Sequence, residues 1–381
     1  MSLKKRASQS KKAKPSPKRK QAKKAESKKG GFAQAVVTEI KKKTKCDNDS
    51  VSLLSSGVAL SDVKEWIPTG FPALDSIFGG GWPVGRASEI AGNEGCGKSA
   101  LTHMAIKQCQ MMGGEPMIID FEHSLDRAKM KQLGIDEDRL IYSDPLDVEE
   151  AWDEVWTALD YVEKHPPDAP FLIVWDSVAG TVARSERTEK SHADRHVASR
   201  AGSMDKGARK MFRRIAKVRA HMMWVNQERV VFGSKSFFQE KTTPGGAQLK
   251  YAASLRLTMW RKNIKYSVGD QEEVVGYKSY VRTNKCRLAP PHRKAYFVLD
   301  FIHGPNPEMT MFHYLMDARR IKAGGSGTYV STWSKKKFKR RDWLQMLSDP
   351  KFRAGAVAAY EEAVAEATKF TGSGNAAKTA E

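Results

Sequence analysis

Partly or wholly apolar runs alternate with amphipathic segments along this chain. Runs at 87–91, 117–120, 171–176 and 221–227 predict buried strands, because strands covered on both faces read as short, nearly continuous apolar stretches. The segments between them have apolar residues at helical spacing, most clearly over 148–162. Strands that alternate with helices predict an α/β fold with a mostly parallel central sheet.

The second half continues the pattern and then changes character. Further strands are predicted at 249–260, 273–282 and 296–301. After Pro305 the composition predicts a small α/β module over 306–381, with a strand at 328–330 and a helix at 355–370. The basic run 335–341 lies in this module and would either help to capture duplex DNA or form a solvated surface.

The first part of the chain lacks the apolar residues that a folded segment needs. Residues 1–31 cannot bury enough surface to offset the entropy of ordering, so disorder is predicted there. Residues 32–43 place Phe32, Val36 and Ile40 at helical spacing, which predicts a short helix with one apolar stripe. The pattern leaves open whether this stripe packs on its own core or on a neighbouring copy.

The segment from Gly92 to Ser99 reads G-x-x-x-x-G-K-S, the phosphate-binding P-loop motif, and it stands between a predicted strand and a predicted helix. In that setting the loop N–H groups and the helix N-terminus point at phosphate oxygens. Lys98 would reach the β- and γ-phosphates and the Ser99 hydroxyl would hold Mg²⁺, so ATP and Mg²⁺ are expected here. The predicted nucleotide-binding positions are Gly92, Asn93, Glu94, Gly95, Cys96, Gly97, Lys98, Ser99 and Ala100.

Two acidic residues follow predicted strands. Glu122 comes just after the strand at 117–120, and Asp176 ends the apolar run at 171–176. Because α/β sheets place their chemistry at the carboxyl ends of parallel strands, both carboxylates are expected at the phosphate site. An apolar strand that ends in Asp downstream of a P-loop is the Walker B pattern, whose carboxylate serves Mg²⁺.

Two polar segments are predicted to leave neighbouring strand ends as loops. Residues 184–209 are rich in Arg, His, Ser and Gly, and residues 229–246 combine cations with aromatic rings. Cations that follow phosphates and rings that stack on bases are what a single-strand binding surface needs, although ordinary surface loops can share this composition. The predicted DNA-binding residues are Arg195, Arg200, Arg209, Arg229, Phe232, Lys235, Gly245 and Gly246.

The formal net charge of +21 is unevenly placed. Residues 1–30 hold 13 Lys and Arg and one acid, so they carry 13 − 1 = +12 and leave 21 − 12 = +9 for the rest. This excess predicts nucleic acid as the partner before a membrane, because no amphipathic apolar face accompanies the tail. The tail itself would be a nucleic-acid tether, a nuclear-type targeting signal or a solubilising segment.

Other classes of protein are disfavoured by what the sequence lacks. No apolar run approaches the ~18 residues of a membrane helix, and the N-terminus has no apolar core of a secretory signal. The four cysteines have no paired spacing, so neither a zinc site nor a disulfide framework is predicted. A reducing, cytoplasmic and DNA-associated protein is the expectation.

Seven motifs in one order give the chain a resemblance to RecA-type recombinases, nearer to the divergent bacteriophage forms than to the bacterial housekeeping protein. The resemblance extends over roughly residues 32–340, and the shared order is more specific than any single motif. The motifs are Pro-Thr-Gly at 68–70, the P-loop at 92–99, FEHSLD at 121–126, VWDSVA at 174–179, VNQ at 225–227, TTPGGAQLK at 242–250 and KCRLAPP at 285–291.

The resemblance implies roles for individual residues, which add to that of Lys98. Glu122 would be the base that activates water, Asp176 would serve Mg²⁺, and Gln227 would sense the γ-phosphate at the start of the second DNA loop. Lys285 and Arg287 would reach the triphosphate of the adjacent subunit, as arginine fingers do in trans, so that hydrolysis would depend on assembly.

Further contacts are implied at the base and at the subunit boundary. Asp126 would contact the adenosine part of the nucleotide. Lys129 stands where the bacterial protein stacks a tyrosine on adenine, so base recognition would be relaxed or would use another ring. Lys250 and Tyr251 fall at the subunit boundary, and the helix at 32–43 would pack on a neighbouring protomer, which builds a helical filament when repeated.

Taken together, the resemblance implies a RecA-like P-loop ATPase core with an N-terminal oligomerisation helix and a small C-terminal α/β domain. The expected segments are a basic tail (1–31), an oligomerisation helix and strand (32–68), the core with two DNA loops (69–305) and the C-terminal domain (306–381). The expected function is ATP-dependent filament formation on single-stranded DNA, followed by homologous pairing and strand exchange with a duplex in recombination and repair. A single-strand-binding protein and a loading mediator would be further partners.

Two other functions are compatible with the same motifs. A hexameric helicase or translocase of the same superfamily usually carries a separate N-terminal domain, for which residues 32–68 are too few. A non-catalytic ATP-binding mediator would have no need of a water-activating acid, yet Lys98, Glu122 and Asp176 are all present.

Overall fold

The computed structural model describes residues 17–44, 51–56, 62–188, 197–230, 241–268 and 271–369. Within these ranges, every helix is too short or too polar to span a lipid bilayer. The chain divides into two compact units, Met1–Asp62 and Val63–Glu381.

The described part of the first unit is mainly helical. It contains α1 (Pro17–Thr44) and a 3₁₀ turn (Leu54–Ser56). Residues 17–31, for which the composition predicts disorder, are helical in the structure; Lys, Ala and Gln favour helices, and proline suits a first helical position. Residues 1–16 lie outside the described residues. The predicted stripe lies on this helix, with Phe32, Val36 and Ile40 exposed.

The second unit alternates strands and helices, as the sequence pattern predicts. Its strands are β1 (Trp66–Ile67), β2 (Trp82–Pro83), β3 (Ala87–Gly92), β4 (Met117–Asp120), β5 (Ile141–Ser143), β6 (Phe171–Asp176), β7 (Ala220–Gln227), β8 (Arg229–Val230), β9 (Lys241–Thr242), β10 (Leu255–Val268), β11 (Gln271–Cys286), β12 (Lys294–Asp300), β13 (Gly304–Pro305), β14 (Ile321–Ala323), β15 (Thr328–Ser331) and β16 (Lys337–Lys339). Its helices are α2 (Pro72–Phe78), α3 (Lys98–Met111), α4 (Arg127–Leu133), α5 (Val148–Lys164), α6 (Arg184–Thr188), α7 (Val197–Lys217), α8 (Gly246–Ala252), α9 (Pro307–Asp317), α10 (Trp343–Met346) and α11 (Pro350–Thr368).

One nine-stranded sheet organises this unit, in the order β13-β12-β11-β10-β3-β7-β6-β4-β5. The strands from β10 to β5 run parallel, and β11, β12 and β13 continue the sheet with antiparallel pairing. Every residue of β3, β4 and β6 is buried, as their apolar runs predict. The predicted α/β class with a mostly parallel central sheet is therefore confirmed.

The central strands send alternate side chains into two apolar cores on opposite faces of the sheet. On β6, Leu172 and Val174 enter one core, and Ile173 and Trp175 enter the other. Helices α2, α3, α9 and α11 cover the first face, and α5, α7 and α8 cover the second. Both faces being covered explains why these strands lack polar alternation.

Several predicted boundaries are wrong. The predicted loop at 184–209 is largely helical, because α6 and α7 occupy its described residues. Residues 249–252 are the last turn of α8, and the strand predicted there starts only at Leu255. Helix α11 covers Pro350–Thr368 instead of 355–370, because the Asp349 carboxylate accepts the N–H groups of the first turn.

The chain after Pro305 forms a small antiparallel sheet, β14-β15-β16, together with α9, α10 and α11. The predicted strand at 328–330 is present as β15. Helix α11 returns to the main sheet, where the Thr368 hydroxyl lies 2.8 Å from the Ser76 hydroxyl on α2. These C-terminal elements therefore belong to the same compact unit as the central sheet.

Candidate nucleotide and DNA site

Four neighbouring strands, β3, β7, β6 and β4, deliver polar residues to one edge of the sheet. Gly92 at the end of β3 is in register with Gln227 at the end of β7. Asp120 at the end of β4 is in register with Asp176 at the end of β6. Because all four strands are parallel, the P-loop, both predicted acids and the predicted sensor meet at this carboxyl edge.

The P-loop has the backbone shape that its glycines permit. Gly95 and Gly97 have positive φ angles of 65° and 96°, which L side chains rarely adopt. A Cβ at Gly92 would lie 2.5 Å from the backbone oxygen of Met259, so the loop base fits closely against β10. Gly97 directly precedes α3, so the helix N-terminus faces into the loop.

Residues from β10 and β11 support this loop, and the sequence analysis did not find them. The Ser279 hydroxyl donates to the backbone oxygen of Cys96 at 2.9 Å, and Arg261 donates to that of Gly95, also at 2.9 Å. The Lys98 ammonium donates to the carbonyl oxygens of the loop's own first residues, Gly92 and Asn93. Burial raises the pKa of the Cys96 thiol, which therefore stays protonated.

The two predicted magnesium ligands are neighbours. The Ser99 hydroxyl donates to an oxygen of the buried Asp176 carboxylate at 3.2 Å. Burial, followed by the negative charge of Glu122, raises the pKa of Asp176 to about 7. A buried carboxylate with an acidic neighbour favours a cation, so Ser99 and Asp176 fit as residues that would hold a Mg²⁺ ion beside the phosphates. Among the described residues, no cluster of three or more His, Cys, Asp or Glu side chains could hold a metal by itself.

Glu122 lies where the base for water activation is predicted. Its Oε1 accepts hydrogen bonds from the Ser177 hydroxyl and, at 3.3 Å, from the Gln227 side-chain amide. The buried Asp120 carboxylate shapes the preceding turn, because it accepts the backbone N–H groups of Glu122, Ser124 and Leu125 at 3.1–3.3 Å. The structure thus brings the predicted base and the predicted sensor into direct contact.

A pocket of about 330 Å³ continues from Ser99 and Ala100 along the surface. Asp126 and Lys129, for which the resemblance implies positions at the adenosine part and the base, line this pocket. The Asp126 carboxylate also caps α4 by accepting the N–H groups of Ala128 and Lys129. Those hydrogen bonds lower the pKa of Asp126. The pocket is also lined by Phe301, which the sequence pattern did not indicate and which is 57% exposed.

The predicted DNA-binding residues divide into three groups. Arg195, Phe232 and Lys235 lie outside the described residues, and of Arg229 only the backbone is described, paired with Thr242 in the β8–β9 hairpin. Arg200 and Arg209 lie on α7, where Arg200 donates to the backbone oxygen of Thr181 at 3.0 Å and Arg209 to that of Asp205 at 3.3 Å.

Gly245 and Gly246 have a packing reason of their own. Gly245, with a φ of 98°, directly precedes α8, and Gly246, with a φ of 86°, is its first residue. A Cβ at Gly246 would lie 2.3 Å from a carboxylate oxygen of Asp205 on α7, and a Cβ at Gly245 would clash with Leu249 and Val178. These glycines therefore bring the chain that returns from the second predicted DNA segment close against α7 and α8.

Comparison with known proteins agrees with this geometry. Residues 33–306 match the model of the RecA N-terminal domain. The chain belongs to the RecA family. It is 36% identical over 262 residues to Protein RecA of Thermus aquaticus, which is 68% of this chain and 74% of that protein.

Two further relatives show the same extent of similarity. Protein RecA of Francisella philomiragia is 36% identical over 284 residues, covering 73% of this chain and 75% of the relative. Protein RecA of Thermotoga neapolitana is 35% identical over 284 residues, covering 74% of this chain and 78% of the relative.

The predicted family is therefore confirmed, and with it the links to recombination, repair, ATP and DNA. These relatives are bacterial; the nearer likeness to bacteriophage forms stays a prediction, and nothing here supports a nuclear-type compartment.

Membership of the RecA family makes the position of Lys285 and Arg287 informative. Lys285 on β11 pairs with Arg256 on β10, and Arg256 pairs with Glu89 near the amino end of β3. The P-loop, in contrast, follows the carboxyl end of β3. Both cations donate to carbonyl oxygens at the end of α8: Lys285 to those of Lys250 and Tyr251, and Arg287 to that of Tyr251. They therefore stand apart from the phosphate site of their own chain.

Proposed function

We propose that this RecA-family chain is a DNA-dependent ATPase that assembles into a helical filament on single-stranded DNA and pairs it with a homologous duplex. The observation that carries the proposal is the contact between Glu122 and Gln227 at 3.3 Å. Through this contact Glu122, the residue proposed to activate water, touches Gln227 at the end of β7, from which the second predicted DNA segment leaves. Nucleotide chemistry and DNA contact thus share one strand end.

The chain's own residues divide the work at the phosphates. The P-loop N–H groups and Lys98 would hold the triphosphate oxygens, and Ser99 with Asp176 would hold Mg²⁺, which when bound neutralises the phosphate charge. Glu122 would accept a proton from the attacking water, since it lies just beyond β4 at the phosphate edge. Gln227, bonded to Glu122, would report to the DNA segment whether the γ-phosphate is present.

The base of the nucleotide is proposed to lie in the 330 Å³ pocket beyond Ala100. Phe301, exposed on its wall, supplies a ring for stacking where Lys129 stands in place of the family's tyrosine. Asp126 would contact the adenosine part from the first turn of α4. The base would thus be recognised through the ring of Phe301.

Assembly would complete the site from outside the chain. Lys285 and Arg287 are proposed to reach the triphosphate bound by a neighbouring copy, because they lie away from their own P-loop. Helix α1, with its exposed apolar stripe, would pack on another copy, and head-to-tail contacts that do not close into a ring give a helical filament.

DNA is the proposed polyanionic partner, in keeping with the net charge of +21. The predicted DNA-binding residues, from Arg195 to Gly246, would contact the single strand, with phosphate contacts dominating affinity and making it steeply salt-dependent. A single-strand-binding protein and a loading mediator are proposed as further partners. The working location would be on DNA in the cytoplasm.

The test of the proposed function is the substitution Glu122→Gln. It removes the proton acceptor but keeps the side-chain size, so DNA-stimulated ATP hydrolysis should fall by about 10²–10⁴-fold. Binding of ATP and of single-stranded DNA should persist, as measured by fluorescence anisotropy with labelled ligands. Full hydrolysis by this variant would remove Glu122 from its proposed role.

A matched control lies at the other end of the same strand. Glu115 is exposed just before β4, as Glu122 is exposed just after it, and Glu115→Gln should leave hydrolysis unchanged. If the unmodified protein hydrolyses ATP equally fast with and without single-stranded DNA, the DNA-dependent function itself is wrong.

A further inference from the structure

Asn226, the residue before Gln227 on β7, is completely buried and uses its whole side-chain amide. Its Nδ2 donates to Oε1 of Glu89 at 3.0 Å and to the backbone oxygen of Pro244 at 2.9 Å. Its Oδ1 accepts the backbone N–H of Gln227 at 3.0 Å. One side chain therefore ties the start of the second DNA segment to its return, with an acid of the P-loop strand as its third partner.

Glu89 is an unusual residue for the centre of a parallel sheet. It is 1% exposed on β3, where a carboxylate is costly unless its oxygens are satisfied. Oε1 faces Asn226, and Oε2 accepts from Nε of Arg256 on β10 at 2.6 Å. Because an ionised carboxylate only accepts, it fixes the amide of Asn226 with its nitrogen toward β3 and toward Pro244.

These bonds form a continuous connection across the site. Glu122 bonds to the side chain of Gln227, whose backbone N–H bonds to Asn226, which bonds to the Pro244 carbonyl ahead of Gly245. A shift of Gln227 on nucleotide binding would therefore be felt at Pro244 through one rigid side chain. The two ends are also paired further along by β8 and β9, where Arg229 faces Thr242, and Asn226 adds a side-chain contact directly beside Gln227.

We propose that Asn226, anchored by Glu89, is a positioning residue that couples nucleotide sensing at Gln227 to the DNA-contacting segment that returns at Pro244. The proposal rests on the proposed function, in which that segment binds single-stranded DNA. Glu89 acts through Asn226 and contacts neither nucleotide nor DNA. The pair sets how strongly ATP raises DNA affinity, which is a coupling free energy between two sites.

The test measures that coupling directly. The dissociation constant of a fluorescent oligo(dT) is determined with and without a slowly hydrolysed ATP analogue, for the unmodified protein and for Asn226→Asp. This substitution keeps the acceptor for the Gln227 N–H but removes both donated hydrogen bonds. We expect the unmodified protein to show a ratio of about 5–150-fold, and Asn226→Asp to lower it to within about twofold of one.

A double variant separates coupling from stability. In Glu89→Gln/Asn226→Asp the donor and the acceptor between the two positions are exchanged, so a hydrogen bond between β3 and β7 is restored, but the Pro244 carbonyl still has no donor. Thermal stability should recover toward that of the unmodified protein while the ATP-dependent ratio stays low. Recovery of the ratio together with stability would overturn the proposal, because the effect would then be structural.

The control is Ser88→Ala, on the same strand as Glu89. Ser88 is fully buried and its hydroxyl has no hydrogen-bond partner in the described structure, so its removal should change neither ratio nor stability. An unchanged ratio in Asn226→Asp overturns the inference but leaves the proposed function standing. Absence of any ATP effect on DNA affinity in the unmodified protein overturns both.

Discussion

The pKa of Lys285 is set by the residues around it. Burial, and then the neighbouring positive charges of Arg287 and Arg256, lower the pKa of its ammonium to about 8. A lysine on open surface stays charged well above that pH, whereas this one loses its proton close to physiological pH. An anion such as a neighbour's triphosphate would favour the charged form and raise the pKa.

This leads to a pH prediction. Above a pH of about 8 the ammonium of Lys285 has lost its proton when no triphosphate is bound. Lys285 must then take up a proton in order to bind the neighbour's triphosphate, so DNA-stimulated hydrolysis should fall as pH rises through that value. Lys285→Arg should remove this fall, since arginine stays charged. The measurement is a pH profile of DNA-stimulated ATPase, with Lys265→Arg, an exchange on the exposed part of β10, as the control. An identical alkaline limb in Lys285→Arg would show that another group titrates.

Among the elements, helix α7 contains residues 197–209 of the first predicted DNA segment and packs against α5. Trp152 of α5 lies against α7 at Gly207, and its ring packs on Trp175, the neighbour of Asp176 on β6. A Cβ at Gly207 would lie 2.1 Å from the Trp152 ring, so the two helices can approach this closely only with glycine there. The glycine is thus a packing requirement of the helix pair.

The element-scale prediction compares two glycines of α7. Gly207→Ala should push α7 away from Trp152 and lower the free energy of unfolding by about 1–3 kcal/mol, the usual cost of overpacking. Gly202→Ala, where a Cβ meets nothing within 4 Å, should raise stability by about 0.5–1 kcal/mol, because alanine favours helix. Urea unfolding followed by tryptophan fluorescence measures both. Equal effects at the two positions would mean that helix propensity, and not the Trp152 contact, governs this helix.

For the whole molecule, the sheet separates the two halves of the proposed catalytic site. The P-loop lies at the carboxyl edge, whereas Lys285 pairs with Arg256 near the amino ends of β10 and β3. If both halves act on one triphosphate, they must come from different copies of the chain. A contact between two different surfaces repeats along a filament and leaves two incomplete ends.

Mixing two inactive variants tests this arrangement. The Glu122→Gln variant retains Lys285 and Arg287, and the Lys285→Ala/Arg287→Ala variant retains the P-loop and Glu122. An interface is complete where the second variant supplies the P-loop and the first supplies the cations. In a random equimolar filament this should occur at about a quarter of the interfaces. DNA-stimulated ATPase of the mixture should therefore rise well above that of either variant. Glu122→Gln mixed with Lys98→Ala is the control, because both defects lie on the same half and no mixed interface becomes whole. No gain in the first mixture would mean that the cations do not act in trans.

Prediction from sequence worked best where the signal is local. The P-loop, Glu122 and Asp176 lie at the sheet edge that the motifs indicate, because a strand, a glycine turn and a helix start are all encoded by neighbouring residues; their roles there stay predictions. It failed for 249–252, a short apolar stretch that suits a strand or a helix equally and that α8 takes up. The early start of α7 was missed because its exposed polar face hides the helical period within 197–209.

The sequence alone determined the family and the α/β class, and it predicted the residues at the phosphates, since each rests on contiguous motifs read in one order. Only the tertiary structure decided that Phe301 lines the pocket beyond Ala100, that Glu89 anchors Asn226, and that Lys285 lies away from its own P-loop. These relations join residues far apart in the chain. They depend on which strands pair and in what register, and a local pattern of apolar and polar residues does not encode that choice.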